Sequence, residues 1–138
     1  MSTAPLLEHR ARITAYGEDL FRFCRVEFAR TTEMHRQVCG AFLFGVIFVH
    51  GQEHELTPPD VHALGIAMLM DVLGYSAEQA GAFSAHLVQA ASAGPNDTMR
   101  AIIHRGIDGH GQLIAGEQEE LRENLLGIFQ ILGQPYLP

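Results

Sequence analysis

A chain of 138 residues with 47% apolar and 18% charged side chains is long enough to bury a core as one domain, and is neither disordered nor fibrous in composition. Nine arginines, no lysine and sixteen acids leave a net charge of −7, which argues against direct nucleic-acid binding, because neutralising phosphates takes cations. The charge is lopsided: residues 1–36 hold six arginines against five acids, and residues 37–138 hold three against eleven.

In chain order, Ile13, Tyr16, Leu20, Cys24 and Phe28 fall at helical spacing and predict a first helix over 6–29. A second helix is expected over 32–52. Val38, Phe42, Val46 and Val49 lie on one side, and Phe44, Ile47 and Phe48 widen the stripe, so this helix belongs at the centre. Its greasiest run, AFLFGVIFV at 41–49, is too short to cross a bilayer. TPPD at 57–60 opens a third helix: Thr57 caps, Pro58 takes the first helical position, and Asp60 sits beside the positive helix end. That helix runs to about Leu73, and Gly74 ends it. SAEQ at 76–79 is a capping box for a fourth helix, with Ala80, Phe83, Leu87 and Ala90 facing the core. Gly94-Pro95-Asn96 breaks it. A fifth helix follows from about 97, and a sixth from 117 with the stripe Leu121, Leu125, Ile128 and Leu132. Nothing alternates like a strand. The expected fold is all-α, a single-domain antiparallel bundle of about six helices.

The two cysteines, Cys24 and Cys39, fit no metal spacing and read as small buried hydrophobes. No basic segment leads into an apolar run at the N-terminus, so no signal peptide is expected and the cytoplasm is the default address.

Two stretches carry chemistry-like motifs. HGQEH at 50–54 has the His-x-x-Glu-His order of inverted zinc proteases, in which His50 and His54 would hold the metal and Glu53 would activate water. Gly51 inside the motif, the TPP stop just after it and the small chain favour a frayed, polar helix end instead. HRGIDGHGQ at 104–112 contains His104-x-x-x-Asp108-Gly109. This is similar to part of the His-His-x-x-x-Asp-Gly motif of acyl-transferring condensation domains, with Ile103 in place of the first histidine. On a helix, His104 and Asp108 lie one turn apart and can pair. Gly106, Gly109 and Gly111 each cost about 1 kcal/mol in a helix interior, so either the helix breaks into an exposed bend or the glycines admit another backbone. Neither stretch makes a complete catalytic set, and no cofactor or metal is expected.

Three segments together resemble a known family: Pro-Pro-Asp-Val-His-Ala-Leu at 58–64, Tyr-Ser-Ala-Glu-Gln-Ala at 75–80, and Ile-Ile-His-Arg-Gly-Ile-Asp-Gly-His at 102–110. They are similar to immunity protein family 48 of bacterial polymorphic toxin systems. The likeness runs from about residue 41 onward, while the first 36 residues match nothing. It implies an all-helical, non-catalytic cytoplasmic protein that binds and neutralises one cognate toxin, of the kind delivered by type VI or contact-dependent secretion. An acidic surface would suit a basic toxin such as a nuclease.

The candidate partner-binding residues are Glu53, Glu55 and Asp60 around the 50–60 turn, and His104, Arg105, Asp108 and His110 at the glycine-rich stretch, where exposed loops carry recognition. The rival reading is a small metal-dependent hydrolase using His50, His54 and Glu53. A helical scaffold that only oligomerises, for instance as a homodimer, stays open.

Overall fold

The computed structural model describes residues 4–137. Among these, six α-helices and one short 3-10 turn account for the regular structure: α1 (Ala4–Cys24), the 3-10 turn Phe28–Arg30, α2 (Glu33–Glu53), α3 (Pro58–Asp71), α4 (Ala77–Ala91), α5 (Thr98–Ala115) and α6 (Gln118–Ile131). The fold is all-α, and the short connections are compatible with the antiparallel order expected.

The helix starts follow the capping chemistry. Thr32, Thr57, Ser76 and Asp97 each accept a backbone N–H from three residues on, and Ser76 with Gln79 completes a capping box. One box uses an unexpected partner: His35 Nδ1 accepts the Thr32 N–H at 3.1 Å, and its Nε2 lies 2.7 Å from the Gln134 carbonyl oxygen. The C-terminal tail is thereby tied to the start of α2, and Tyr136 reinforces the tie by accepting the Glu27 N–H at 2.9 Å.

The first helix is shorter than its periodicity suggests. It stops at Cys24 rather than near 29, because Arg25 takes a left-handed φ of 56° and the Val26 N–H returns to the Phe21 carbonyl at 2.9 Å. This turn buries Val26, whereas Phe28 is 40% exposed in the 3-10 turn, under the Arg36 guanidinium at 4.7 Å. Spacing alone counted Phe28 as core; it lies beyond the helix that would have placed it there.

α2 is the central helix, as its apolar surface requires. Val38, Phe42, Leu43, Val46 and Ile47 are all buried, and α2 touches α1, α3, α5 and α6. Its closest neighbour is α5, and the crossing is made by glycine. A Cβ on Gly45 would overlap the Ile103 carbonyl oxygen, one on Gly106 would overlap the Phe42 carbonyl oxygen, and one on Gly109 would enter the Phe42 ring. The 104–112 stretch is therefore not a bend. It lies inside one continuous helix, in which Gly106 admits the α2 backbone and Gly109 the Phe42 ring.

The crossing predicts opposite outcomes for two neighbouring substitutions. Gly106→Ala, which forces backbone apart, should cost about 3 kcal/mol or more or prevent folding. Gly111→Ala, where a Cβ meets nothing within 4 Å, should be neutral or stabilise by up to about 1 kcal/mol. Urea unfolding of both variants measures the contrast.

Candidate functional site

The polar turn expected at 50–60 forms around the end of α2. The Leu56 N–H bonds the Gly51 carbonyl at 2.9 Å and the Glu55 N–H bonds that of Gln52 at 3.3 Å, the pairing of a Schellman motif. Such a motif needs a left-handed residue, usually glycine, yet here Glu55 occupies it with φ 54°. Glu53 and Glu55 are exposed, and Asp60 is half-buried in the first turn of α3, where its N–H is capped by Thr57 Oγ1 at 3.2 Å.

Beside this turn lies an apolar groove of about 960 Å³ between the C-terminal half of α2, the start of α3 and the end of α4. Phe44, Phe48, Leu56, Pro58, Val61 and Val88 are among its walls. Phe48 and Val88 are 45% and 46% exposed, large apolar side chains that the fold leaves open. A Cβ on Gly51 would stand 2.6 Å from Val61 Cγ2, so this glycine lets α3 close down on α2 at the groove wall.

The second group is divided by the face of α5 on which each residue falls. Arg105 is half-buried and committed to structure: its Nε donates to Asn124 Oδ1 at 2.6 Å, a terminal nitrogen donates to the Asn124 carbonyl at 3.1 Å, and Asn124 Nδ2 returns a bond to the Arg105 carbonyl at 3.2 Å. Asp108 is exposed and lines a shallow cleft of about 390 Å³ between α5 and α6, with Arg105, Gln112, Glu120, Glu123 and Asn124. Among the described residues, no ion pair engages Asp108, Glu120 or Glu123, and no hydrogen bond joins Asp108 to exposed His104. Sequence reasoning missed Glu120 and Glu123 as companions of Asp108, because only the α5–α6 packing brings them together.

His110 was expected on an exposed recognition loop. It is 4% exposed and faces inward, because residue 110 shares the buried face of α5 with Gly106, Gly109 and Leu113. His50 departs in the same way from a frayed helix end, being 2% exposed. The two belong to a histidine cluster at this end of the bundle. His9 Nδ1 lies 2.8 Å from His50 Nε2, the His50 and His54 rings stack at 4.3 Å, and Tyr16 stands edge-on 5.8 Å from both His50 and His110. Glu53 Oε1 is 3.9 Å from His110 Nδ1, across the cluster from His54. The zinc-protease geometry does not form. Among the described residues, no group of three His, Cys, Asp or Glu side chains is placed to hold a metal ion. The cysteines are inert hydrophobes: burial raises both thiols, that of Cys24 to about 12.

Burial, then the neighbouring His54, His9, His110 and Arg12, lowers the pKa of His50 to about 4. The unfolded chain protonates this residue near 6.5, so the stability held by neutral His50 is complete above about pH 6.5 and is lost as pH falls toward 4. The loss should be on the order of 2–3 kcal/mol, and His50→Gln should flatten the wild-type slope between pH 6.5 and 4.5 in urea titrations. A second prediction follows from the strained turn. Glu55→Gly should leave the fold intact and raise its stability by up to about 1 kcal/mol, read as a higher melting temperature.

No curated protein and no solved structure gave a match to this chain. The family model described as immunity protein 48 matches residues 14–133. The match reaches back into α1, well before the residue-41 start that the motifs alone marked, so the second half of the first helix falls within it. With nearly the whole chain covered, the protein belongs to the immunity protein 48 family.

Proposed function

We propose that this chain neutralises one cognate toxin by stoichiometric binding in the cytoplasm, without catalysis of its own. Family membership is the observation that carries the reading, and it supplies the class of partner. The geometry supports it with surfaces rather than a reaction centre. The polar turn and apolar groove form one surface, and the α5–α6 cleft with Asp108, Glu120 and Glu123 forms another. Glu53, Glu55, Asp60, His104 and Asp108 remain the proposed surface contacts. Arg105 and His110 act beneath them, Arg105 by joining α5 to α6 and His110 by filling the histidine cluster.

The net charge of −7 fits a basic toxin, such as a nuclease delivered by type VI or contact-dependent secretion. Such charge accelerates encounter more than it tightens the final complex. It also disfavours a direct hold on nucleic acid.

The test is to purify the tagged protein from its own host. A single partner in one-to-one ratio, encoded by an adjacent gene and toxic when expressed alone, is expected; recovery of the protein without such a partner overturns the reading. With the partner in hand, association should slow as salt rises to physiological strength and the screening length shrinks to about 8 Å. Asp108→Arg should slow association severalfold while leaving the melting temperature unchanged, in stopped-flow and thermal-unfolding measurements. A salt-indifferent rate would assign the net charge to solubility alone.

A further inference from the structure

The apolar groove beside Glu55 is unusual in what surrounds it. No arginine or lysine occurs between Arg36 and Arg100, a stretch that includes nearly all of α2 and the whole of α3 and α4. Its acids are Glu53, Glu55, Asp60, Asp71, Glu78 and Asp97. Asp71 is held by Arg10 at 2.7 Å, and Asp97 caps α5. Glu55 and Asp60 adjoin the wall residues Leu56, Pro59 and Val61 in the chain, whereas Glu53 turns toward His110. An apolar trough whose lining holds His62 but no arginine or lysine, with the Glu55 and Asp60 carboxylates next to its walls, is chemically specific: it accepts apolar side chains on a segment that carries basic residues beside them.

We infer that the groove is the anchoring site for the toxin, and that its occupant is an amphipathic helix of the toxin with apolar side chains at i, i+3 or i+4 and flanking arginine or lysine. The inference rests on the immunity reading and deepens it. Three observations select this occupant. The trough is bounded by helices, the geometry in which a partner helix lays its apolar face. Phe48 and Val88 stand open in the walls, where contact with a partner would desolvate them. A second copy of this chain is the poorer fit, because a two-fold interface through the groove would bring together two surfaces that each carry Glu55 and Asp60 and draw no arginine or lysine from residues 37–99. The strain at Glu55 agrees with this assignment. A carboxylate occupies a left-handed position that glycine would take without cost, and strained residues of this kind concentrate at functional surfaces.

The division of labour is then definite. Net charge and the α5–α6 cleft govern encounter, and the groove governs residence. Because anchors in desolvated pockets dominate binding energy, blocking the groove should raise the dissociation rate rather than lower the association rate.

The experiment uses the full-length chain and the toxin identified by co-purification. Ala85→Trp fills the trough from an exposed wall position, and Val88→Arg places a cation in it; both positions are exposed, so folding should persist. Circular dichroism and melting curves verify that it does. Each variant should dissociate about 30-fold faster or more, the range of an interface hot spot, whereas Glu18→Ala, at an exposed position of α1 outside both surfaces, should leave dissociation within about threefold of wild type. Hydrogen exchange on the toxin should show the protected segment to be a helix with the stated apolar and basic pattern.

Unchanged dissociation of both groove variants would overturn the groove as anchor while leaving the immunity reading intact. A wild-type dimer that either variant converts to monomer would give the groove to a second copy, and a small apolar molecule released from purified wild type would give it to a ligand. Either result overturns the inference. Absence of any toxin partner would overturn both the inference and the reading beneath it.

Discussion

The passage of α2 across α5 at van der Waals contact between backbones is the constraint on which the other packing depends. Gly45 and Gly106 face each other's helix at Phe42 and Ile103, and neither position has room for a single carbon more. A helix interior ordinarily disfavours glycine by about 1 kcal/mol relative to alanine, so a contact built on several of them must recover more than that through close packing. What it secures is the placement of α2 as the axis of the bundle. α3 then closes on it at Gly51, α4 bridges α3 and α5, and α1 and α6 seal the remaining faces.

Both candidate surfaces derive from that arrangement. The groove exists because α2 continues past its crossing with α5 and leaves Phe48, one turn beyond buried Phe44, only partly covered by α3 and α4. The α5–α6 cleft exists because the same crossing fixes which edge of α5 faces α6, setting Asp108 over Glu120 and Glu123 while Arg105 and Asn124 tie the helices beneath. The histidine cluster is the opposite case. Tyr16, His50 and His110 come from three helices and fill an end of the core with weakly partnered polar rings, with half-buried His9 and exposed His54 beside them. His50 Nδ1 and His110 Nε2 have no hydrogen-bond partner among the described residues. Burial holds His50 neutral, so its protonation should weaken the fold at this corner.

Much of the architecture was legible in the sequence because it depends on local chemistry. Thr57-Pro58, Ser76 to Gln79 and Gly74 mark helix ends through bonds spanning a few residues, and the stripes of α4 and α6 report one face each. The errors arose where a residue's role is fixed by a distant partner. Phe28 follows the period of α1, yet Arg25 turns the chain before that period is complete. His110 was expected on an exposed bend, whereas the neighbouring glycines left either a bend or a close backbone approach open, and the approach of α2 shows the second and buries this helix face. The motif at 50–54 was legible as chemistry-like and incomplete, but not as part of a buried cluster, because His9, the residue that pairs with His50, lies 41 positions away. The groove gave a single signal, the spread of apolar residues round to Phe48, and nothing local marked that face as uncovered. The family motifs at 58–64, 75–80 and 102–110 include the start of α3 and the α5 glycines of the crossing, Gly106 and Gly109, so the resemblance was carried in part by residues that hold the fold together.

Native-state hydrogen exchange of the unbound protein tests the central claim, that the surfaces are mounted on an α2–α5 pair that opens only with the whole molecule. The amides of α2 and α5 flanking Gly45 and Gly106 should be the slowest in the chain, exchanging with the free energy of global unfolding, while the last turn of α4 and residues 92–97 open locally and exchange faster. If the crossing amides exchange by local opening while those of α3 and α4 stay protected to the global limit, the α2–α5 contact is not the foundation of the fold.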